Sequence, residues 1–264
     1  MYSINGIALD NPSLGWELLA PSEPLSSLEM RSASVEETGR DGVASYPATR
    51  GPVTLKFVVR TPYANLSTLL ALFSEPGLEV RELADPTRVA HGGLRSSSPG
   101  QHFPRVDLYS HQFLVRIPEG CWRGGEATTA LTSASALGAT LTTFTGLSAP
   151  VQDAQVRFKG PITDPQVTDL SGAFIAVDGT IPSGEFVRFD SSTGRAWQTG
   201  ADTWQGGDEV SGQVTAGGPR TLFEITPRLD PADPRSREAR LTLTQADYSA
   251  GSGVQVRGRP AFLL

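Results

Sequence analysis

The stretch Gly160–Asp190, GPITDPQVTDLSGAFIAVDGTIPSGEFVRFD, indicates the fold class of the whole chain. Residues that favour turns (Gly, Pro, Asp and Ser) recur between short runs rich in Val, Ile, Phe and Thr, which is the pattern of β-strands joined by tight turns. Its last residues, Phe186–Asp190, alternate between two faces as a strand does. The stretch contains several acidic side chains but no His, Cys or Lys. It is therefore either a catalytic loop with paired carboxylates or a framework whose charges face water.

The composition extends the β prediction to the rest of the chain. The 264 residues, 28.0 kDa in mass, leave room for one large domain or two smaller ones. The chain has 28 Gly and 20 Pro residues and only 19% charged residues, which favours many short strands over long surface helices. We therefore expect a mainly β protein.

The charge and the cysteine count exclude several classes of partner. The net charge is −6 and the pI is about 5.1, so specific nucleic-acid binding is not expected. The uncharged stretch Ala127–Gln152 is too rich in hydroxyl groups for a membrane-spanning helix, so no membrane insertion is expected. The N-terminus, MYSINGIALD, lacks the features of a signal peptide, which predicts synthesis in the cytoplasm. A single cysteine, Cys121, predicts neither an internal disulfide nor a thiolate metal cluster.

The N-terminal half is predicted to be a β-sandwich or barrel-like domain with one packed helix. The segment Val53–Arg60, VTLKFVVR, alternates apolar and polar residues as a half-buried strand does. After it, Pro62 and Pro76 mark the start and the stop of a helix near 63–74. Its apolar positions are Leu66, Leu69, Leu70 and Phe73. Further strands are predicted at YSINGIAL, GLEVREL, RVAHGG, FPRVDLYS and HQFLVRIP.

The C-terminal half is predicted to be an antiparallel β-sandwich. After PEGCWRGGE no helical spacing occurs, and short strands such as AQVRFKG, AFIAVDG, GEFVRFD and ARLTLTQ alternate with turn residues. We place the N-terminal domain at 1–122 and the C-terminal domain at 123–264, with a final strand near 253–264.

The motifs that suggest chemistry have simpler interpretations. GGDEV, Gly206–Val210, copies part of the signature of cyclic dinucleotide synthases, but the alternating α/β surroundings of that motif are missing, which favours an ordinary turn. His91, His102 and His111 lack the spacing of metal ligands. No nucleophile elbow or phosphate-binding loop is present. We expect no catalytic residue, no metal site and no cofactor.

Paired carboxylates leave an alternative open. Asp164 with Asp169, or Glu185 with Asp190, could act as the acid and base of a glycosidase. The sequence shows neither their separation nor an apolar environment that would raise one pKa, so a solvated sheet face is the favoured interpretation.

The opening stretch resembles the C-terminal domain of the siphophage distal tail proteins. In that family a strand ending in Gly leads into a Pro-containing turn, then a Ser/Thr-Gly turn and a strand pair introduced by Gly-Glu. The residues that match are Gly160, Pro161, Gly172, Gly184, Glu185 and Asp190. The resemblance covers nearly the full chain, because the short first strand, the strand before the helix and the second domain follow the family's order. It implies that the acids of the stretch are framework.

The resemblance implies a structural virion protein without enzymatic activity. It implies a ring, usually a hexamer, at the distal end of the tail, in which N-terminal domains close the ring and galectin-like C-terminal sandwiches project outward. The implied partners are further copies of the chain, the tail tube protein, and the hub and receptor-binding proteins of the tail tip or baseplate. Because exposed strand edges invite pairing between chains, we expect Ile4, Ile7 and Leu9 to lie in the subunit interface.

Two further functions are consistent with the sequence. The chain could be a carbohydrate-binding receptor-recognition module, in which Trp197 and Trp204 stack on apolar sugar faces; packing of these side chains in a core or hairpin is the simpler interpretation. It could also be a glycan hydrolase that depends on Glu185.

Overall fold

A computed structural model describes residues 1–20, 22, 30–31, 34–36, 43–45, 49–135, 139–218, 223–229, 232 and 237–263. The chain divides into two units, of which the first contains Met1–Gly124 and the second Gly125–Phe262. The described part is mainly β, with antiparallel sheets and one α-helix, so the predicted fold class is confirmed.

The first unit contains twelve of the described strands and the helix. The strands are β1 Tyr2–Ile4, β2 Ile7–Ala8, β3 Glu17–Leu18, β4 Met30–Arg31, β5 Ser34–Glu36, β6 Val43–Ser45, β7 Thr49–Arg50, β8 Val53–Pro62, β9 Leu78–Glu82, β10 Val89–Phe103, β11 Leu108–Ile117 and β12 Cys121–Arg123. The helix α1 is Tyr63–Ser74, and a 3-10 turn spans Pro12–Leu14.

The main sheet of this unit has the strand order β2-β1-β9-β10-β11-β8-β3. Strands β8 and β11 pair along their full length in this sheet and run antiparallel from Val53↔Ile117 to Pro62↔Leu108. Strand β8 buries every second residue, as the alternation in VTLKFVVR predicts. The two edge strands, β2 and β3, are two residues long each, and among the described strands β2 pairs with β1.

Helix α1 packs on the buried face of this sheet. Pro62 precedes its first residue, where a missing N–H costs nothing, and the extended residue Glu75 ends it before Pro76. Leu69, Leu72 and Phe73 are buried, whereas the predicted Leu66 and Leu70 are half-buried, so the buried stripe is shifted to include Leu72.

Strands β10 and β11 form one long hairpin instead of the separate strands predicted at FPRVDLYS and HQFLVRIP. The residues 104–107 form its turn, and Asp107 adopts a left-handed conformation with φ of 49°. Pro104 cannot donate a ladder hydrogen bond, which explains why the strand predicted across it is interrupted.

The second unit contains the remaining strands. They are β13 Ala127–Thr128, β14 Thr132–Ser133, β15 Ala139–Thr145, β16 Gln155–Lys159, β17 Ile162–Thr163, β18 Gln166–Asp169, β19 Phe174–Val177, β20 Thr180–Ile181, β21 Phe186–Asp190, β22 Arg195–Thr199, β23 Asp208–Glu209, β24 Val214–Gly217, β25 Arg228–Leu229, β26 Arg237–Thr244, β27 Asp247–Tyr248, β28 Gly253–Gly258 and β29 Ala261–Leu263.

Two larger sheets make up most of this unit. One has the order β13-β28-β16-β21-β22-β23 and the other β15-β26-β18-β19-β24. Each buries one face, with Val156, Phe158 and Val256 among the buried residues of the first sheet and Val167 and Leu241 among those of the second. These two apolar faces supply the core of an antiparallel sandwich.

The C-terminal strand predicted near 253–264 is two strands. Strand β28 ends at Gly258 and β29 begins at Ala261, and Pro260 lies in the gap, where its fixed φ and missing N–H interrupt the ladder. The described residues contain no helix long and apolar enough to cross a membrane.

Candidate functional site

The turn motif of the opening stretch is built from close backbone approaches and left-handed turns. Gly160 follows β16, and its N–H donates to the carbonyl oxygen of Glu185 at 2.9 Å. A Cβ at Gly160 would overlap the carbonyl oxygens of Ile181 and Pro182, so this position accepts only glycine without rearrangement. The peptide bond from Gly160 to Pro161 is cis. Gly172 and Gly184 have φ of 91° and 81°, values that side chains disfavour.

The carboxylates of the stretch accept hydrogen bonds within turns. Asp164 accepts from the Gly179 N–H at 2.7 Å, and Asp169 from the Ser171 N–H at 3.0 Å and its hydroxyl at 2.7 Å. These contacts hold turns in place. Burial raises the pKa of Asp169, and hydrogen bonds from Ser171 oppose this rise.

The second pair of carboxylates is engaged in the same way. Asp190 accepts from the N–H and hydroxyl of Ser192 at 2.9 and 2.6 Å, and from the amide nitrogen of Gln155 at 3.1 Å. Glu185 accepts from the amide of Gln198. Glu185 and Asp190 thus each accept a hydrogen bond from a glutamine amide. All four carboxylates considered for glycosidase chemistry accept hydrogen bonds from groups of the protein itself.

The motif GGDEV forms a turn that enters an edge strand. Gly206 and Gly207 have φ of 71° and 101°, and Asp208–Glu209 forms β23 against β22. No group of three or more His, Cys, Asp or Glu side chains that could hold a metal ion occurs among the residues that the structure describes. His102 stacks on Tyr109 with centroids 4.1 Å apart, and His111 is buried beside Phe113.

The three residues expected at a subunit interface differ in exposure. The side chains of Ile4 and Leu9 are fully buried, whereas Ile7 is 38% exposed at the sheet edge. Asn5 and Gly6 form the two-residue turn between β1 and β2, with φ of 49° and 81°. Of these three residues, Ile7 is therefore the one whose side chain is exposed at this edge.

The face of the first sheet in the second unit that lies opposite its apolar core holds a cluster of arginine and aromatic side chains. Its cross-strand partners are Arg157↔Arg188 and Arg188↔Trp197, which place all three side chains on one face. The guanidinium of Arg188 lies 4.7 Å from the ring centre of Trp197. That of Arg157 lies 4.5 Å from Trp204. We call Arg157, Arg188, Arg257, Trp197 and Trp204 the arginine–tryptophan face.

The two tryptophans do not lie free as a flat platform. Trp204 covers Arg157 and is 5.8 Å from the guanidinium of Arg257, while Trp197 covers Arg188. Both indoles are half-buried. A cation over an indole is attracted by the negative charge of the aromatic face, which fixes the side chains in this arrangement.

Sequence reasoning missed the three arginines of this face. A signal was present, because Val-Arg-Phe occurs at 156–158 and again at 187–189, and Val-Arg occurs at 256–257. In each case the flanking apolar residue is buried, so the arginine of the same strand points to the opposite face. The pairing of these strands decides that the arginines meet, and that pairing is not readable from local sequence.

No family model and no curated protein matches the chain. Among solved structures, the crystal structure of the Dit (gp 19.1) protein of phage SPP1, described as a paradigm of the hub adsorption apparatus in phages that infect Gram-positive bacteria, is similar with a TM-score of 0.60 and 14% identity. The match covers 100% of both chains. The activated baseplate of phage P2 with Ca is similar with a TM-score of 0.38 and 12% identity, covering 98% of this chain and 97% of that one.

The similarity to SPP1 Dit spans both units of the chain, and it agrees with the resemblance predicted from the turn motif. The described part of the chain therefore has the fold of a phage Dit protein in both units.

Proposed function

We propose that this chain is a structural protein of the phage tail, located at the distal end, where it joins the tail tube to the tail tip or baseplate. The observation that supports this proposal is the full-length similarity to SPP1 Dit, with a TM-score of 0.60. The match covers 100% of both chains, so the similarity does not come from one common β domain. In this function the protein acts by assembly and catalyses no reaction.

The assembly we propose is a closed homo-hexameric ring. A heterologous interface repeated by rotation closes into a ring without any new contact type. The N-terminal domain, residues 1–122, would supply the contacts between subunits. The C-terminal domain, residues 123–264, would hold the hub and receptor-binding components that recognise the host.

The edge strand β2 supports an interface in the N-terminal domain. Leu9 N–H donates to the Tyr2 carbonyl at 2.9 Å, so the Tyr2 and Leu9 pair is a hydrogen-bonded one. In an antiparallel pair the bonded positions alternate, so the N–H and C=O of Ala8 point away from β1. Among the described strands β2 pairs with β1 alone, so these groups and the exposed side chain of Ile7 could pair with a strand of another copy.

The mass of the purified protein in solution tests this proposal. Light scattering on a size-exclusion column, with negative-stain images of the same peak, should give about six copies and a central opening, as closed symmetric assembly requires. If the chain alone is monomeric, the measurement is repeated with the tail tube protein added. A chain that forms no ring and binds no tail-tube or tail-tip protein would contradict the proposal.

A second function, recognition of a carbohydrate receptor, is supported by the arginine–tryptophan face. Its two half-buried indoles and its arginine side chains lie on one sheet face, where apolar and polar groups of a sugar could both be contacted. Saturable binding of a saccharide to the purified chain, followed through tryptophan fluorescence, tests this function separately from ring assembly.

A further inference from the structure

On the arginine–tryptophan face, the guanidinium of Arg188 has N–H donors without an acceptor among the described residues. Arg188 is 9% exposed, and its Nε is buried without a hydrogen-bond partner. Its two terminal nitrogens make no hydrogen bond within the described residues, and they are not enclosed as Nε is. Buried donors in folded proteins are almost always paired, because an unmet donor loses its hydration without compensation.

The neighbouring arginines differ from Arg188 in this respect. Arg157 forms an ion pair with Asp202 at 2.7 Å and hydrogen bonds with the carbonyl of Thr203 at 3.1 Å and with Gln255. Arg257 pairs with Glu126. Each of these two cations thus has its own carboxylate.

The charge around Arg188 favours a further anion. Arg157 stands directly opposite Arg188 in the register, and like charges in that position destabilise a sheet. Burial lowers the pKa of Arg188; Asp190 opposes this effect, and the charges of Arg257 and Arg157 add to it. Asp190 nevertheless accepts its hydrogen bonds from Ser192 and Gln155, not from Arg188.

We propose that the arginine–tryptophan face binds an acidic saccharide, with its carboxylate on the terminal nitrogens of Arg188 and an apolar sugar face on Trp197. One cation without an ion pair calls for a monoanion, and the planar fork of a guanidinium matches a carboxylate. An acidic saccharide offers a carboxylate for the guanidinium and an apolar ring face for the indole together. This inference rests on the carbohydrate-binding function proposed above and names its ligand class.

The test compares two saccharides that differ only in charge. Oligogalacturonate and its methyl ester are titrated into the unaltered full chain at low salt, with calorimetry and tryptophan fluorescence as readouts. We expect saturable binding of the acid and at least tenfold weaker binding of the ester. Binding should weaken as salt is added, because the interaction is between charges.

A pair of variants locates the site. Arg188→Gln should weaken binding of oligogalacturonate at least tenfold. Arg195→Gln is the matched control, because Arg195 lies on β22 with its side chain 62% exposed and is not one of the five residues of the arginine–tryptophan face. This variant should bind oligogalacturonate as the unaltered chain does. Thermal melts show whether Arg188→Gln remains folded; if it unfolds, the comparison of the two saccharides on the unaltered chain decides.

Three outcomes would overturn the inference. Equal binding of the acid and the ester would refute the anion site and leave sugar binding in place. Binding of neither saccharide would refute both, without consequence for the tail function. Tighter binding of polyglutamate than of oligogalacturonate would point to an acidic protein partner instead.

Discussion

The aromatic ring of Phe73 stacks on that of Phe113, with centroids 3.8 Å apart and an angle of 6° between their planes. Phe73 is on α1 and Phe113 on β11, and both side chains are fully buried. Phe57 on β8 lies 6.3 Å from Phe73, so three aromatic side chains fix the helix over strands β8 and β11. The contact between Phe73 and Phe113 thus positions the helix on the sheet, whose strands pair over long distances in sequence.

The first prediction concerns this contact. Phe73→Ala should lower the free energy of unfolding by about 3–5 kcal/mol, because the side chain is fully buried and leaves a cavity. Tyr63→Ala, on the same helix but 62% exposed, should cost less than about 1 kcal/mol. Urea unfolding of both variants measures the difference; similar losses would show that the helix is not held by Phe73.

The second prediction concerns the proposed interface at β2. Ala8→Pro removes an N–H that faces away from β1, so it should leave the monomer folded and shift the assembly to monomers. Ala8→Thr keeps this N–H and is the control, for which the ring should persist. Light-scattering mass and a thermal melt of each variant separate the two effects. A full-size ring in Ala8→Pro would exclude β2 from the interface.

Ile7→Pro is the less selective variant at this edge. Ile7 and Ile4 flank the two-residue turn as a hydrogen-bonded pair, so proline at 7 removes a bond within the hairpin itself. We expect Ile7→Pro to impair both the hairpin and the assembly, with a lower melting temperature than Ala8→Pro. Equal melting temperatures would argue that the hairpin contributes little to the stability of the monomer.

The third prediction concerns His111, which is 8% exposed and whose Nε2 is buried without a partner. Burial lowers the pKa of this imidazole below its usual value of 6.5. Below pH 6.5 the unfolded chain therefore binds a proton that the folded chain does not, and the free energy of unfolding falls as the pH falls.

The His111 effect is measured by unfolding at pH 7.5 and at pH 5. His111→Gln should show a smaller loss between these two values than the unaltered chain. His102→Gln, an exposed position on the same hairpin, is the control and should keep the full loss. An unchanged pH dependence in His111→Gln would show that other groups cause it.

The fourth prediction separates two glycines of the turn motif. Gly160→Ala should cost more than about 2 kcal/mol, because the new Cβ would overlap the carbonyl oxygens of Ile181 and Pro182. Gly184 has φ of 81° but open space around its Cβ position, so Gly184→Ala should cost only about 1 kcal/mol. Melting temperatures of the two variants test this order, and the reverse order would contradict the close approach at Gly160.

The sequence predicts best those elements whose signal is local. The alternation from Val53 and the two prolines around α1 are enough to place a strand and then a helix, because each depends on neighbours within one or two turns of chain. The hairpin of β10 and β11 was missed because Phe103 and Val106 look strand-like, whereas Pro104 and the left-handed Asp107 make the turn.

The candidate binding site cannot be predicted from local sequence alone. The sequence indicates Trp197 and Trp204 as candidates, but it does not indicate the arginines that these side chains cover. Arg157 contacts a residue 98 positions away, Gln255, and meets Arg188 only through the register of β16 and β21. Charge counts also concealed this face, since a chain with a net charge of −6 does not suggest a surface of clustered cations.

The edge strand β2 is only two residues long. If copies pair along it, each junction gains few hydrogen bonds, and a bond of this kind adds only about 1 kcal/mol net. Open dimers and trimers would then dissociate readily. A closed ring has one more interface than an open chain of the same number of subunits, and is stabilised by it. Such an assembly would behave as an all-or-none process with a sharp threshold in protein concentration, and partial arcs would be scarce at every stage of titration.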